Sequence, residues 1–395
     1  MCGRVGGSAA LGYNKARVPA LRRDPHFATK GSLFLMKTDS SQTDATRDRS
    51  GRASLPGLAL ARRGMVHVQP LHVRRLADVT AVGMFLVYAM GTLVTSTGSG
   101  HGCGNSWPLC NGRFVPEFAV STAIEFSHRF VTGIITFLVI GLAVGVWWFW
   151  RARLEIRILA PLMVLALFGE ALLGALLVLA KASAFVLALH FGSSLILFSS
   201  VLLTALIVRG LDGVDGADRL RDRGAPAGLR WLAFALAGYT YVVGYLGAYL
   251  RFRGVELACG DWPLCDGAAF PGFAGAVGLV FTHRLAALLL LLGTGALFAW
   301  AWRRHGERPD LARGAAWALG LVLAQAVVGA LVVFSQLSLF SRLAHAGLVA
   351  LLFGALAYVC LQTLARPEAA RSARVASAPG TPAKAPTAPA APART

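Results

Sequence analysis

The chain has 395 residues, of which 56% are hydrophobic and only 14% charged, yet its formal net charge is +19. A soluble globular domain carries roughly 25% charged residues, so this composition excludes an ordinary one. A disordered basic protein would be poor in apolar residues, and is excluded as well. Residues 1–75 come first, rich in Arg, Lys, Ser, Gly and Asp, with no run long enough to span a bilayer. Leu55–Ala61 is too short and too far in for a signal-peptide core. The region is expected to be a disordered cytoplasmic arm, with Met36 and Met65 as alternative starts.

Eight apolar segments follow, expected at Leu76–Ser96, Ser121–Trp150, Arg157–Lys181, Ala184–Val208, Arg230–Leu250, Gly275–Trp302, Gly314–Ser335 and Phe340–Leu364. Each is long enough to cross ~30 Å at 1.5 Å per residue, and too long and unalternating for barrel strands. The expected fold class is therefore an all-α membrane protein with eight transmembrane helices. Residues 366–395, rich in Ala and Pro, read as a flexible tail. If eight helices are drawn, 31 of the 38 Lys and Arg fall on one side. By the positive-inside rule that side is cytoplasmic and holds both termini.

The eight segments divide into two copies of a four-helix unit, 76–208 and 230–365, joined by a linker at 209–229. Cys103-Gly-Asn-Ser-Trp-Pro-Leu-Cys110-Asn-Gly recurs as Cys259-Gly-Asp-Trp-Pro-Leu-Cys265-Asp-Gly. The first cysteines are 156 positions apart, and after one deletion the offset is 155. It then places His128-Arg129 on His283-Arg284, Gly174 on Gly329 and His190 on His345. An even number of helices per unit makes this a parallel repeat.

His26, His67, His72, His101 and His305 lie in polar regions and read as solvated. His128, His190, His283 and His345 lie inside apolar segments, where ionisable groups are functional candidates. Each sits about 8–12 Å below the outer surface at 1.5 Å per residue. Two imidazoles at similar depth in each unit suit one haem, which supplies four nitrogens and needs one or two axial ligands. Gly133, Gly192 and Gly347 stand near the histidines and either admit a flat macrocycle or pack helices.

Glu125 breaks the symmetry. It precedes His128 by three residues, so both share a helix face, and its counterpart is Val280. A buried carboxylate there suits a proton acceptor or an electrostatic stabiliser. Glu170, whose counterpart is Gln325, ranks lower because it lies farther along the chain from the histidines. Arg129 and Arg284 suit haem propionates or, equally, snorkelling to headgroups. Trp107 and Trp262 suit interface anchors. Cys103/Cys110 and Cys259/Cys265 fall on the outer, oxidising side, where disulfides are permitted. They read as structural staples, with a redox-active thiol pair as the alternative, chiefly at Cys103/Cys110. Cys2 and Cys360 carry no role.

Glu125-Phe-Ser-His128-Arg129, the two cysteine loops, and His190 and His345 together resemble the haem A synthase family over roughly Leu76–Leu364. The resemblance implies oxidation of the C8 methyl of haem O to a formyl group, giving haem A for cytochrome oxidase. It implies that the first half holds the substrate haem through His128 and His190, with Glu125 catalytic. The second half then holds a haem b cofactor through His283 and His345. It also implies a bacterial plasma-membrane location, haem O synthase as a partner, an electron donor, and no nucleic acid. Two rival classes are a di-haem protein oxidising quinol, which needs no Glu125, and a haem transporter, which needs access from both sides.

Overall fold

The computed structural model describes residues 70–180, 183–210, 220–221, 223–304 and 306–364. Residues 1–69 of the expected arm, the tail, Lys181 and most of the linker lie outside the described residues. Eight long helices form among the described residues: α1 (Pro70–Ser96), α2 (Val120–Trp150), α3 (Leu154–Leu179), α4 (Ala184–Gly210), α5 (Ala227–Phe252), α6 (Gly275–Trp302), α7 (Pro309–Phe334) and α8 (Leu339–Thr363). All eight are long and apolar enough to cross a membrane, and the chain is an all-α membrane protein. The expected spans are right in number and order. The differences lie at the ends, where helices run past the apolar stretch into polar residues. α1 begins at Pro70, so the last six residues expected in the arm are helical. α4 and α5 likewise shorten the expected linker from both sides.

Helix ends follow local chemistry. α7 starts on Pro309, whose missing N–H is no loss in a first turn. Between α7 and α8 the chain turns through Gln336 and Leu337, both at positive φ (49° and 65°). Ser338 then caps α8 by accepting from the Ser341 N–H. Pro161 lies inside α3 on an exposed face, where its ring removes one backbone hydrogen-bond donor.

α1 packs on α2 and α4, α2 on α3, and α3 on α4; α5 packs on α6 and α8, α6 on α7, and α7 on α8. α4 also meets α5, and α8 meets α1 and α4. Half or more of the apolar stretch is buried in α4 (56%) and α8 (50%), against 22–28% in the other six, so these two helices are central. Close approach between them uses Gly354, where a Cβ would lie 2.8 Å from Leu202 Cδ2. Arg251 at the end of α5 binds α1 through the Thr92 carbonyl (3.2 Å), Thr95 Oγ1 (2.9 Å) and Ser96 Oγ (2.6 Å).

At the opposite end of the bundle, Arg221 pairs with Glu155 of α3 at 2.5 Å and donates to the Leu364 carbonyl at 3.2 Å. Arg308 forks onto Asp310 (3.0 and 2.8 Å) and donates to the Gln362 and Gly224 carbonyls. These charges are nearly fully buried, and each has an opposite partner, as burial requires.

Candidate functional site

The α1–α2 and α5–α6 connections build matching loops. Each ends in a two-residue turn, Asn111-Gly112 or Asp266-Gly267, with positive φ at both positions. Asn-Gly and Asp-Gly are the sequences that tolerate this conformation. The turn pairs Cys110 with Arg113 and Cys265 with Ala268 in isolated bridges. Cys103 is disulfide-bonded to Cys110, and Cys259 to Cys265. In the second loop Asp261 accepts from the Gly267 N–H (2.8 Å) and the Asp266 N–H (2.7 Å), and these donors hold its carboxyl below the usual range. Cys360 is a free, buried thiol.

The arginines that follow the histidines hold these loops. Arg129 Nη1 donates to the carbonyls of Ser106 (2.7 Å) and Leu109 (3.0 Å). Arg284 donates to the carbonyls of Leu264 and Cys259, the latter at 3.2 Å. Each guanidinium thus ties a loop to the helix carrying the histidine.

Glu125 is buried, 4% exposed. Its Oε2 accepts the Cys103 N–H at 2.8 Å, and its Oε1 pairs with Arg129 Nη2 at 2.5 Å. The carboxylate is therefore fixed at both oxygens, one turn before His128, between the helix and the disulfide loop. Its counterpart Val280 is buried beside Cys259 and Cys265 in an apolar cluster.

The four histidines share one packing rule. Each ring rests on a glycine of the preceding helix: His128 on Gly91, His190 on Gly174, His283 on Gly247 and His345 on Gly329. A Cβ at these glycines would lie 3.3, 3.6, 2.8 and 3.3 Å from the respective Cε1 atoms. Gly91 and Gly247 are 156 apart, and Gly174 and Gly329 are 155 apart, which are the repeat offsets. The glycines expected near the macrocycle are placed elsewhere. Gly133 has nothing within 4 Å of a built Cβ, Gly192 abuts Tyr241, and Gly347 abuts Phe85. The last two serve contacts of α4 with α5 and of α8 with α1.

His128 and His190 are electrostatic neighbours, as are His283 and His345. His283 and His345 line one cavity of about 600 Å³, otherwise mostly apolar, with Arg251, Arg284 and Arg342 also on its wall. Of these arginines, sequence reasoning singled out Arg284 alone. A cavity of this size, with two imidazoles on glycine cradles and three arginines against the single carboxylate Glu256, fits a flat apolar macrocycle carrying carboxylates. Among the described residues no three His, Cys, Asp or Glu side chains converge as a bare-ion site.

Glu170 is the residue that sequence distance misplaced. Its Oε2 lies 2.8 Å from His190 Nδ1, whereas Glu125 bonds Arg129 and the loop. Ser193 and Ser194 also donate to the Glu170 carboxylate. The signal that could have found it is its place one turn before Gly174, the glycine under His190.

Compared with known proteins, residues 114–357, more than half of the chain, match the COX15-CtaA model, described as cytochrome oxidase assembly protein. The chain is 41% identical over 289 residues to a protein named Heme A synthase from Symbiobacterium thermophilum, covering 72% of this chain and 93% of that one. It is 40% identical over 292 residues to the Heme A synthase of Geobacillus kaustophilus, covering 73% and 90%. It is 40% identical over 293 residues to that of Bacillus pumilus, covering 73% and 94%.

Proposed function

The chain belongs to the COX15-CtaA family of cytochrome oxidase assembly proteins, and on that premise we propose that it is a haem A synthase. It oxidises the C8 methyl of haem O to a formyl group in the membrane. The observation that carries this reading is the pairing of histidines on glycine cradles in both halves, with a fixed carboxylate, Glu125, in one half only. In this reading the first half holds the substrate haem through His128 and His190, and the second holds haem b through His283 and His345. When bound, haem b supplies one-electron chemistry.

The rest is the work of the chain's own residues. Written with water as the oxygen source, the conversion R–CH3 + H2O gives R–CHO with four protons and four electrons, which must leave the site for an external acceptor. Glu125, fixed by the Cys103 N–H and Arg129, offers a preorganised negative charge above His128. Such a charge stabilises positive charge as it develops, or takes a proton at a carboxylate oxygen. Arg129 and Arg284 keep the disulfide loops seated over the two sites, excluding water. Arg251, Arg284 and Arg342 are the cations for the propionates of haem b. The disulfides act as staples that fix the loops. Both termini and the Glu155–Arg221 end face the cytoplasm, and the disulfide loops face outward.

The test is to extract pigments from cells co-expressing this chain with a haem O synthase. Haem A is expected. Accumulation of haem O alone, with the chain folded and in the membrane, would overturn the reading.

A further inference from the structure

We propose that Glu170 is a positioning residue for His190, which makes His190 a more strongly donating axial ligand than its repeat counterpart His345. The inference rests on the reading of His190 as a haem ligand. Glu170 Oε2 is 2.8 Å from His190 Nδ1, and the two side chains are only 11% and 26% exposed. Among the described residues His190 Nδ1 has no aligned hydrogen bond, so the carboxylate acts on the imidazole as a negative charge at contact distance. Ser194 Oγ donates to Glu170 Oε2 at 3.0 Å, and Ser193 Oγ donates to Oε1. Both serines follow His190 by about one turn of α4, so ring and acceptor are held from the same helix face.

The second half differs at all three positions. With the repeat offset of 155, Gln325 stands for Glu170, Leu348 for Ser193 and Val349 for Ser194. The carboxylate and both of its hydroxyl donors are therefore absent together. The cradles are otherwise alike, Gly174 under one ring and Gly329 under the other. The two halves thus share a ligand geometry and differ in the charge behind one ligand. A negative charge beside an imidazole raises its basicity as a ligand. A more basic ligand favours the oxidised metal, so the first-half haem is set to a lower reduction potential than it would have with glutamine.

The test is an optical redox titration of the full chain purified from cells that make haem O, in wild type, Glu170→Gln, Glu170→Asp and His190→Ala. The wave missing from His190→Ala identifies the first-half haem. In Glu170→Gln that wave moves to higher potential. At the wild-type midpoint its oxidised-to-reduced ratio falls several-fold, while the other wave stays in place. Glu170→Asp moves it back towards wild type. Two unchanged waves in Glu170→Gln, with haem content intact, overturn the inference and leave the ligand reading standing. Retention of both waves in His190→Ala overturns the ligand reading itself. Loss of the first-half haem from both Glu170 variants assigns Glu170 to haem retention and overturns tuning.

Discussion

An imidazole whose Cε1 edge meets a neighbouring helix leaves little room there for a Cβ. Gly247 is the tightest, with a built Cβ 2.8 Å from His283 Cε1; Gly91 and Gly329 are close at 3.3 Å, and Gly174 at 3.6 Å is in ordinary contact. Gly247→Ala is therefore expected to push the ring from its seat, at a cost of about 1–3 kcal/mol for overpacking. Haem content of the purified protein should fall. Gly133→Ala, with nothing within 4 Å, should leave it unchanged. Equal haem content in both variants would remove the cradle argument. The histidines themselves were legible from sequence because an ionisable residue stands out in an apolar run. Their glycine partners were not, because the glycines nearest in sequence, Gly133, Gly192 and Gly347, lie on the same helices as the histidines. Contact comes across helices, so the informative pattern was the repeated Gly91/Gly247 and Gly174/Gly329 spacing. The same reason explains Glu170, which is twenty residues from His190 in sequence and 2.8 Å from it in space.

At the scale of elements, the apolar runs placed all eight helices, since length and hydropathy alone decide what spans a bilayer. Helix ends were less legible. They depend on caps and ion pairs that extend a helix past its apolar stretch, as Arg308 and Asp310 do at the start of α7. The Glu155–Arg221 pair was not readable either, because it joins α3 to a residue 66 positions away. Both side chains are under 10% exposed, so removing one leaves the other charge buried. Glu155→Ala is expected to destabilise the protein by about 3–5 kcal/mol. Thermal unfolding in detergent should show a clearly lower midpoint for Glu155→Ala. A midpoint equal to wild type would mean that the pair is solvated and contributes little.

At the scale of the molecule, α4 and α8 form the buried centre, and each carries one of the paired histidines. In the proposed topology 31 of the 38 cations fall on one side of an eight-helix drawing, which accounts for a net charge of +19 on an apolar chain. A green fluorescent protein fused after Thr395 should fluoresce, and a periplasm-dependent phosphatase fused there should be inactive. The reverse pattern would invert the topology, and with it the oxidising side on which the disulfides sit.

The central claim is that one half holds a haem beside a fixed carboxylate that takes part in methyl oxidation. The most direct measurement is the pigment content of purified wild type and Glu125→Ala, each made in cells that supply haem O. The account predicts haem b and haem A from wild type. From Glu125→Ala it predicts haem b and haem O, with total haem unchanged. Haem A from Glu125→Ala at the wild-type level would contradict it.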